Sequence, residues 1–250
     1  MIPGNEYPGN EDMSLSRIAD NVAAVTEQIR QSALRAGRTA DSVKLVAVSK
    51  YATLDDGIMA ALIAAGCCDL GESRPQRLIE KATHFVDPKA KLRWHLIGSL
   101  QKNKVRKVLP HVSLIHSLDS LPLIEAIDRI AKEEFLSPID GLLEVNISGD
   151  ETKRGFLPND VASALDSIAR LSHIRICGLM GMSGLHSTED ERRKEFAAAR
   201  QLAEKLAANC PDNCSMRELS MGMSEDFPLA IAEGATLVRI GSLLYDGVLF

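Results

Sequence analysis

Ile18, Val22, Val25 and Ile29 recur at intervals of four, three and four. That spacing puts them on one stripe of a helix running from about Ser14 to Arg35, with Gly37 as its stop, and the stripe needs a larger body to pack on. From Val43 onward, short apolar runs alternate with segments of helical period. VKLVAVSK (43–50), CDLGE (68–72), RWHLIG (93–98), SLIHSLD (113–119), GLLEVNIS (141–148), IRICGLMGM (174–182), RELSMG (217–222) and ATLVRIGSLL (235–244) have strand character. Between them lie LDDGIMAALIAAG, LPLIEAIDRIAKEE, NDVASALDSIARL and EDERRKEFAAARQLAEKLAAN. The last sets Phe196, Leu202 and Leu206 among charged positions, and its acidic start suits the positive end of a helix dipole.

Eight strands alternating with helices predict an α/β fold, a TIM-like (β/α)8 barrel with an additional N-terminal helix. The competing architecture is an open doubly wound sheet. It usually has fewer strands and, when it binds a dinucleotide, a glycine-rich first turn, whereas the first strand here runs into SKYATLDD with no GxGxxG. No long Pro, Gly or Ser linker interrupts the alternation, so residues 1–250 read as a single domain, with 1–13 expected to be a flexible N-terminal segment.

Composition narrows the class. An apolar fraction of 45% and a charged fraction of 25% are those of an ordinary globular protein. A net charge of −5 at pH 7 argues against nonspecific nucleic-acid binding and leaves room only for a local basic patch. No apolar run approaches the roughly 18 to 20 residues of a membrane span. The opening MIPGNEYPGNEDM carries acids but no Lys or Arg, unlike a signal or transit peptide, so the expected address is cytoplasmic. Five cysteines without two close pairs fit reduced thiols better than a disulfide framework or structural zinc, and no metal site is expected.

A barrel of this kind builds its site from the C-terminal strand ends and the loops after them, often with phosphate held after strands seven and eight. The polar residues there are Lys50, Glu72, His95, Asp119, Asn146 with Ser148, Ser183, Ser220 with Ser224, and Arg239 with Gly241 and Ser242. Lys50 shares parity with Val46 and Val48, so an inward lysine must pair with an anion, lose its proton or bond to a carbonyl; the bland reading is a lysine that snorkels to solvent. Arg239 shares parity with Leu237 and needs an acceptor, either an internal carboxylate or a bound anion or ring nitrogen. Ser224, before a helix whose first turn would hold Glu225 and Asp226, and the small pair Gly241 and Ser242 can wrap a phosphate, or Ser224 can simply cap the helix. His95 is a base, a stacking ring or a hydrogen-bonded structural residue. Asn146 and Ser148 position a ligand or satisfy backbone, and Met180, Met221 and Met223 pack near the mouth. QKNKVRK is a solvated helix face or a modest anion patch.

The segments KLVAVSK, DLGESRPQ, WHLIGSLQKNK, LLEVNIS, GLMGMS, LSMGMSED and VRIGSLLYDG run in order from Lys44 to Gly247. On these segments the chain resembles the pyridoxal phosphate homeostasis protein family and, more distantly, the N-terminal barrel of alanine racemase. The resemblance implies a fold-type III architecture in which Lys50 forms an internal aldimine with pyridoxal 5'-phosphate (PLP). It implies Arg239 at the pyridine nitrogen, Ser224, Gly241 and Ser242 around the phosphate, and His95, Asn146, Met180 and Ser183 lining the pocket. An arginine there disfavours protonation of the ring nitrogen and weakens the ring as an electron sink. The chain reads GESRPQ at 71–76, where many relatives carry an aromatic or asparagine-containing version of the segment after Gly71 and Glu72, so no cofactor contact carries over to Ser73 or Arg74.

The chain ends eight residues after Ser242, its only tyrosines are Tyr7, Tyr51 and Tyr245, and the β-rich domain that supplies a tyrosine in alanine racemase has no counterpart. No catalytic residue is therefore assigned. The expected function is intracellular PLP homeostasis without catalysis, the alternatives being a weak PLP-dependent amino-acid racemase and a protein that delivers the cofactor to PLP-requiring apoenzymes. No nucleic-acid or membrane partner is expected, and a monomer is preferred.

Overall fold

The computed structural model describes residues 10–54, 57–86, 91–134, 136–150 and 152–248, with side chains from Leu15 onward. Eight parallel strands close into a barrel in chain order: β1 (Lys44–Val48), β2 (Asp69–Glu72), β3 (Arg93–Leu96), β4 (Leu114–Leu118), β5 (Ile139–Glu144), β6 (Ile174–Met180), β7 (Cys214–Ser220) and β8 (Leu237–Ile240). β8 pairs with β1 in a register that sets Val46 beside Arg239. Every run read as a strand contributes one.

The helices are α1 (Asn10–Arg35), α2 (Ile58–Ala64), α3 (Pro75–His84), α4 (Val105–Val108), α5 (Leu121–Glu133), α6 (Val161–Ile168), α7 (Glu189–Ala207) and α8 (Phe227–Ala232). The striped helix α1 packs on α2, α8 and the turn Ser242–Tyr245 that follows β8, so it covers the seam where the barrel closes. Ile18, Val22, Val25 and Ile29 are all buried there, each burial being worth about 1.5 to 3 kcal/mol. Asn21 locks the contact by donating from Nδ2 to Leu244 O at 3.2 Å and Asp246 O at 2.9 Å. The helix starts earlier than its stripe, so residues 10–13 of the expected flexible segment are helical, and residues 1–9 lie outside the described residues. α7 begins with a full capping box, Thr188 and Glu191 bonding each other's backbone N–H, which its acidic first turn favours.

Two boundaries differ from the sequence reading in ways that matter. β5 spans Ile139–Glu144, after which Val145 bridges to Phe156, so Asn146 and Ser148 lie on a loop. Glu225 and Asp226 form a turn before α8 rather than its first turn, with Asp226 as the N-cap residue. Among the described residues, no helix is long and apolar enough to cross a membrane.

Inside the barrel, Val46, Leu142, Met180 and Leu237 form a small apolar cluster separate from the large core between sheet and helices. The barrel is tight at this level. A Cβ on Gly71 would lie 2.9 Å from Val46 Cγ1, so the position opposite the valine admits no side chain without a shift.

Candidate functional site

A cavity of about 470 Å3 opens above that inner cluster and is lined mainly by residues on or after β1, β6, β7 and β8, among them Lys50, Tyr51, Ser183, Ser224, Arg239, Gly241 and Ser242. The volume lies in the range of small-molecule sites.

Lys50 reaches the cavity, but as an exposed side chain, not one held against the core. The reason is the strand end: β1 stops at Val48, so valine parity sets the direction of Lys50 without carrying it inside. Its Nζ sits 4.6 Å from the Tyr51 ring centroid, within cation–π range. The backbone just before it is pinned from behind. Lys81, on α3 and only 2% exposed, donates to Ser49 O at 2.6 Å and to Glu72 Oε2 at 2.7 Å. Glu72 Oε1 in turn accepts from the Ser73 N–H at 2.8 Å. The buried Lys81–Glu72 pair thus ties together the loops after β1 and β2.

Arg239 is inward and 5% exposed. Its acceptors are not carboxylates: NH1 donates to Ser220 O at 2.7 Å and Ser220 Oγ at 2.6 Å, and NH2 to Gly181 O at 3.2 Å. Burial lowers its pKa to about 10, against the pull of Asp226 and Glu144. The guanidinium remains charged at neutral pH, and with three acceptors behind it, its remaining N–H groups are the ones available to the cavity.

The Ser220 hydroxyl is one link in a chain across the barrel interior. His116 Nδ1 lies 2.8 Å from Ser220 Oγ, His116 Nε2 lies 2.9 Å from His95 Nδ1, and His95 Nε2 lies 2.9 Å from Asp69 Oδ1. Asp69 also accepts from Arg93 Nε at 2.6 Å, on the first residue of β3. Arginine can only donate and a carboxylate can only accept, and one set of directions that satisfies both ends has Arg239 donating to Ser220, Ser220 to His116, His116 to His95 and His95 to Asp69. Burial, then the proximity of His95 and Arg239, pushes the His116 pKa well below 6.5. For Asp69, burial acts to raise the pKa, but the bonds from Arg93 and His95 outweigh it and hold the carboxyl below the ordinary range.

Opposite Arg239, the loop after β7 is folded by its own side chains. Asp226 accepts from Met223 N–H at 2.7 Å and from Ser183 Oγ at 2.7 Å. Gly222 has φ +91°, and a Cβ there would meet Ala230 Cβ at 2.6 Å, so only glycine lets the loop turn so close to α8. This turn brings the Ser224 hydroxyl to the β8 end, where it accepts from Gly241 N–H at 3.3 Å. Ser224, Gly241 and Ser242 thereby share one wall.

Three expected residues are not on the cavity lining. His95 belongs to the interior chain, Met180 packs in the inner apolar cluster, and Asn146 donates from Nδ2 to Asp150 O at 2.7 Å on the β5 loop. Met182, two residues after Met180, lines the cavity in its place. Tyr51, Lys153 and Arg192 also line it. Lys153 and Arg192 come from the β5 loop and the first turn of α7, beyond the strand-end positions that the barrel argument singles out. Their cations, with Lys50 and Arg239, outnumber the lining carboxylates Glu225 and Asp226, so the cavity favours an anionic guest. The described cysteines are free thiols, and burial pushes Cys67 and Cys214 up to about 12, which leaves them unreactive at neutral pH.

Residues 14–247 match the family described as alanine racemase, N-terminal domain. A pyridoxal phosphate homeostasis protein of Pseudomonas aeruginosa is 36% identical over 231 residues, covering 92% of this chain and 96% of the relative. Its namesake in Escherichia coli K12 is 34% identical over 232 residues. Among solved structures, a protein of Bifidobacterium adolescentis superposes with a TM-score of 0.87 at 38% identity, covering 96% of this chain and 98% of the other. PipY of Synechococcus elongatus, solved with PLP bound, gives 0.77 at 38%, covering 91% and 99%. Alanine racemase of Clostridium difficile gives 0.69 at 17% identity, covering 90% of this chain and 56% of that one, a likeness of fold alone.

Proposed function

Because the chain belongs to the pyridoxal phosphate homeostasis protein family, we propose that its cavity holds PLP, attached covalently to Lys50, and that the protein serves the intracellular supply of this cofactor without catalysing a reaction of its own. The relatives are named for homeostasis and not for racemisation, which supports the non-enzymatic reading. One observation carries the proposal. An amine, a buried guanidinium and a serine–glycine–serine wall meet in a single cavity of about 470 Å3, and that donor set matches the aldehyde, ring nitrogen and phosphate of PLP.

PLP, when bound, supplies an aldehyde that bonds amines and a conjugated ring that withdraws electrons from them. Lys50 offers the amine from a loop pinned by Lys81. Arg239 offers only donors and no acceptor, so a ring nitrogen facing it would stay unprotonated and would withdraw electrons weakly, as suits a carrier. Ser224 and Ser242 offer hydroxyls and Gly241 an unobstructed backbone to the phosphate. Ser183 acts through Asp226, whose carboxylate shapes the phosphate loop. His95 acts through Arg239, by way of His116 and Ser220.

A delivery role to PLP-requiring apoenzymes draws support from the rim, where Leu185 and Met223 are exposed apolar side chains beside the cavity. The test of the whole reading is a comparison of PLP with pyridoxal, which has the same aldehyde and ring but no phosphate. Equilibrium dialysis should show PLP retained at least about tenfold more tightly, and equal retention of the two would remove the phosphate wall from the account.

A further inference from the structure

The cavity described above occupies one half of the barrel's C-terminal face. Over the loops after β2, β3, β4 and β5 lies a second and larger concavity, of about 860 Å3. It contains the two stretches whose role the homeostasis reading does not absorb, Ser73–Arg74 and the QKNK end of QKNKVRK.

Its charge is one-sided. Arg74, Lys102, Lys104 and Arg154 line it, from three different loops, against the single carboxylate of Asp119. Arg154 approaches Asp119 at 3.5 Å with its side chain 70% exposed, a weak pairing. Among the described residues, Arg74, Lys102 and Lys104 have no ion-pair partner. Like charges gathered around one concavity repel, and an anion relieves that repulsion.

The backbone adds to the field. The thirteen-residue α5 starts at this wall, and its N-cap Ser120 turns its hydroxyl to Asp119 at 3.0 Å instead of capping the first turn. The positive end of the helix is therefore directed toward the same space. Pro75, Leu100 and Leu123 are the apolar side chains in a lining that is otherwise polar or charged apart from Gly155, which suits a hydrophilic guest better than an apolar one. The overall charge of −5, and the gathering of Arg74, Lys102, Lys104 and Arg154 around a concavity and not along an extended stripe, point to a small molecule and not to a nucleic acid.

Ser73 lines both this concavity and the cofactor cavity. The shared wall is backed closely, since a Cβ on Gly98, after β3, would lie 2.2 Å from Ser73 O. Occupants of the two spaces would be neighbours across one residue.

We propose that the second concavity is a binding site for a small polyanion, a metabolite carrying several phosphate or carboxylate oxygens, held by Arg74, Lys102, Lys104 and Arg154. The site stands independently of the cofactor assignment, and the test is built to keep the two apart. The full chain, both PLP-loaded and as Lys50→Ala, is titrated calorimetrically at low ionic strength with pyrophosphate and with citrate. At least one of them gives saturable one-to-one binding in both forms, weakened by added salt. Lys102→Ala/Lys104→Ala weakens it by at least about tenfold, Arg154→Gln weakens it less, and Lys132→Ala, at an exposed position late in α5, leaves it unchanged. Preference for pyrophosphate or for citrate assigns the phosphorylated or the carboxylate class. No saturable binding of either anion overturns the proposal. So does binding that disappears on PLP loading while the double variant has no effect, because the anion is then in the first cavity.

Discussion

Arg239 donates to the Ser220 hydroxyl at 2.6 Å, and this bond joins a cavity-lining cation to a row of two buried imidazoles, His116 and His95, that ends on Asp69. In Ser220→Ala, Arg239 keeps its two carbonyl acceptors, but His116 Nδ1 is left without a donor deep in the barrel. An orphaned buried acceptor costs about 1 to 3 kcal/mol, which a urea midpoint measures. The pH dependence of the loaded protein's absorbance should shift as well, while the cofactor remains attached. A variant as stable as the parent with an unmoved spectrum would show that the row does nothing for Arg239.

The depressed pKa of His116 makes a signed prediction. The folded chain keeps this imidazole neutral, whereas the unfolded chain takes up a proton as pH falls below about 6.5. The stability it contributes is complete above that value and is lost as pH falls toward the lower folded pKa, by at most about 1.4 kcal/mol per pH unit. His116→Gln keeps a donor and an acceptor but does not titrate. The difference between parent and variant stability should therefore change with pH on the acid side of 6.5 and be flat above it. A difference independent of pH from 7 down to 5 would contradict a buried neutral His116.

Lys81→Met leaves Glu72 buried without its cation, a loss of about 3 to 5 kcal/mol. Changing Glu72→Leu in the same chain should recover much of that stability, because an uncompensated charge and not lost volume is the main cost. The recovered double variant should still hold PLP more weakly than the parent, since Ser49 and with it Lys50 have lost their anchor. Stability without weakened binding would make the pair structural only.

The barrel was legible because each strand is short, β-rich and followed by a helical pattern, and closure leaves no edge for a different order. That Lys50, Arg239, Ser224, Gly241 and Ser242 share one cavity was legible because strand parity and the barrel rule act on residues at or just after strand ends. The rest depended on distances that parity does not encode. His95 faces the interior, but only the registers of β2, β3 and β4 put it between Asp69 and His116 and off the cavity lining. Met180 stops one inward position short of the cavity, where Met182 stands. Asn146 left the sheet with the loop after Glu144. Lys153 and Arg192 reach the cavity from a loop and a helix, with no periodic signal to mark them.

Racemisation of alanine needs a proton removed from one face of a carbanion and another delivered to the opposite face. Among the described residues that line the cavity, Tyr51 is the only tyrosine, and it directly follows Lys50 with its ring under the ammonium. Both groups thus come from one loop. A chiral assay with either enantiomer should give no turnover above free PLP, in the parent and in Lys50→Ala alike. Robust turnover dependent on Lys50 would make the protein an enzyme.

The attachment of PLP to Lys50 is tested most directly by reducing the PLP-loaded protein with borohydride and locating the modified peptide by mass. The account predicts that the pyridoxyl adduct falls on Lys50, that the absorbance of the loaded protein changes on reduction, and that Lys50→Ala loses the adduct while retaining some affinity through the phosphate wall. Modification of a different lysine, with the Lys50→Ala spectrum the same as the parent's, would contradict it.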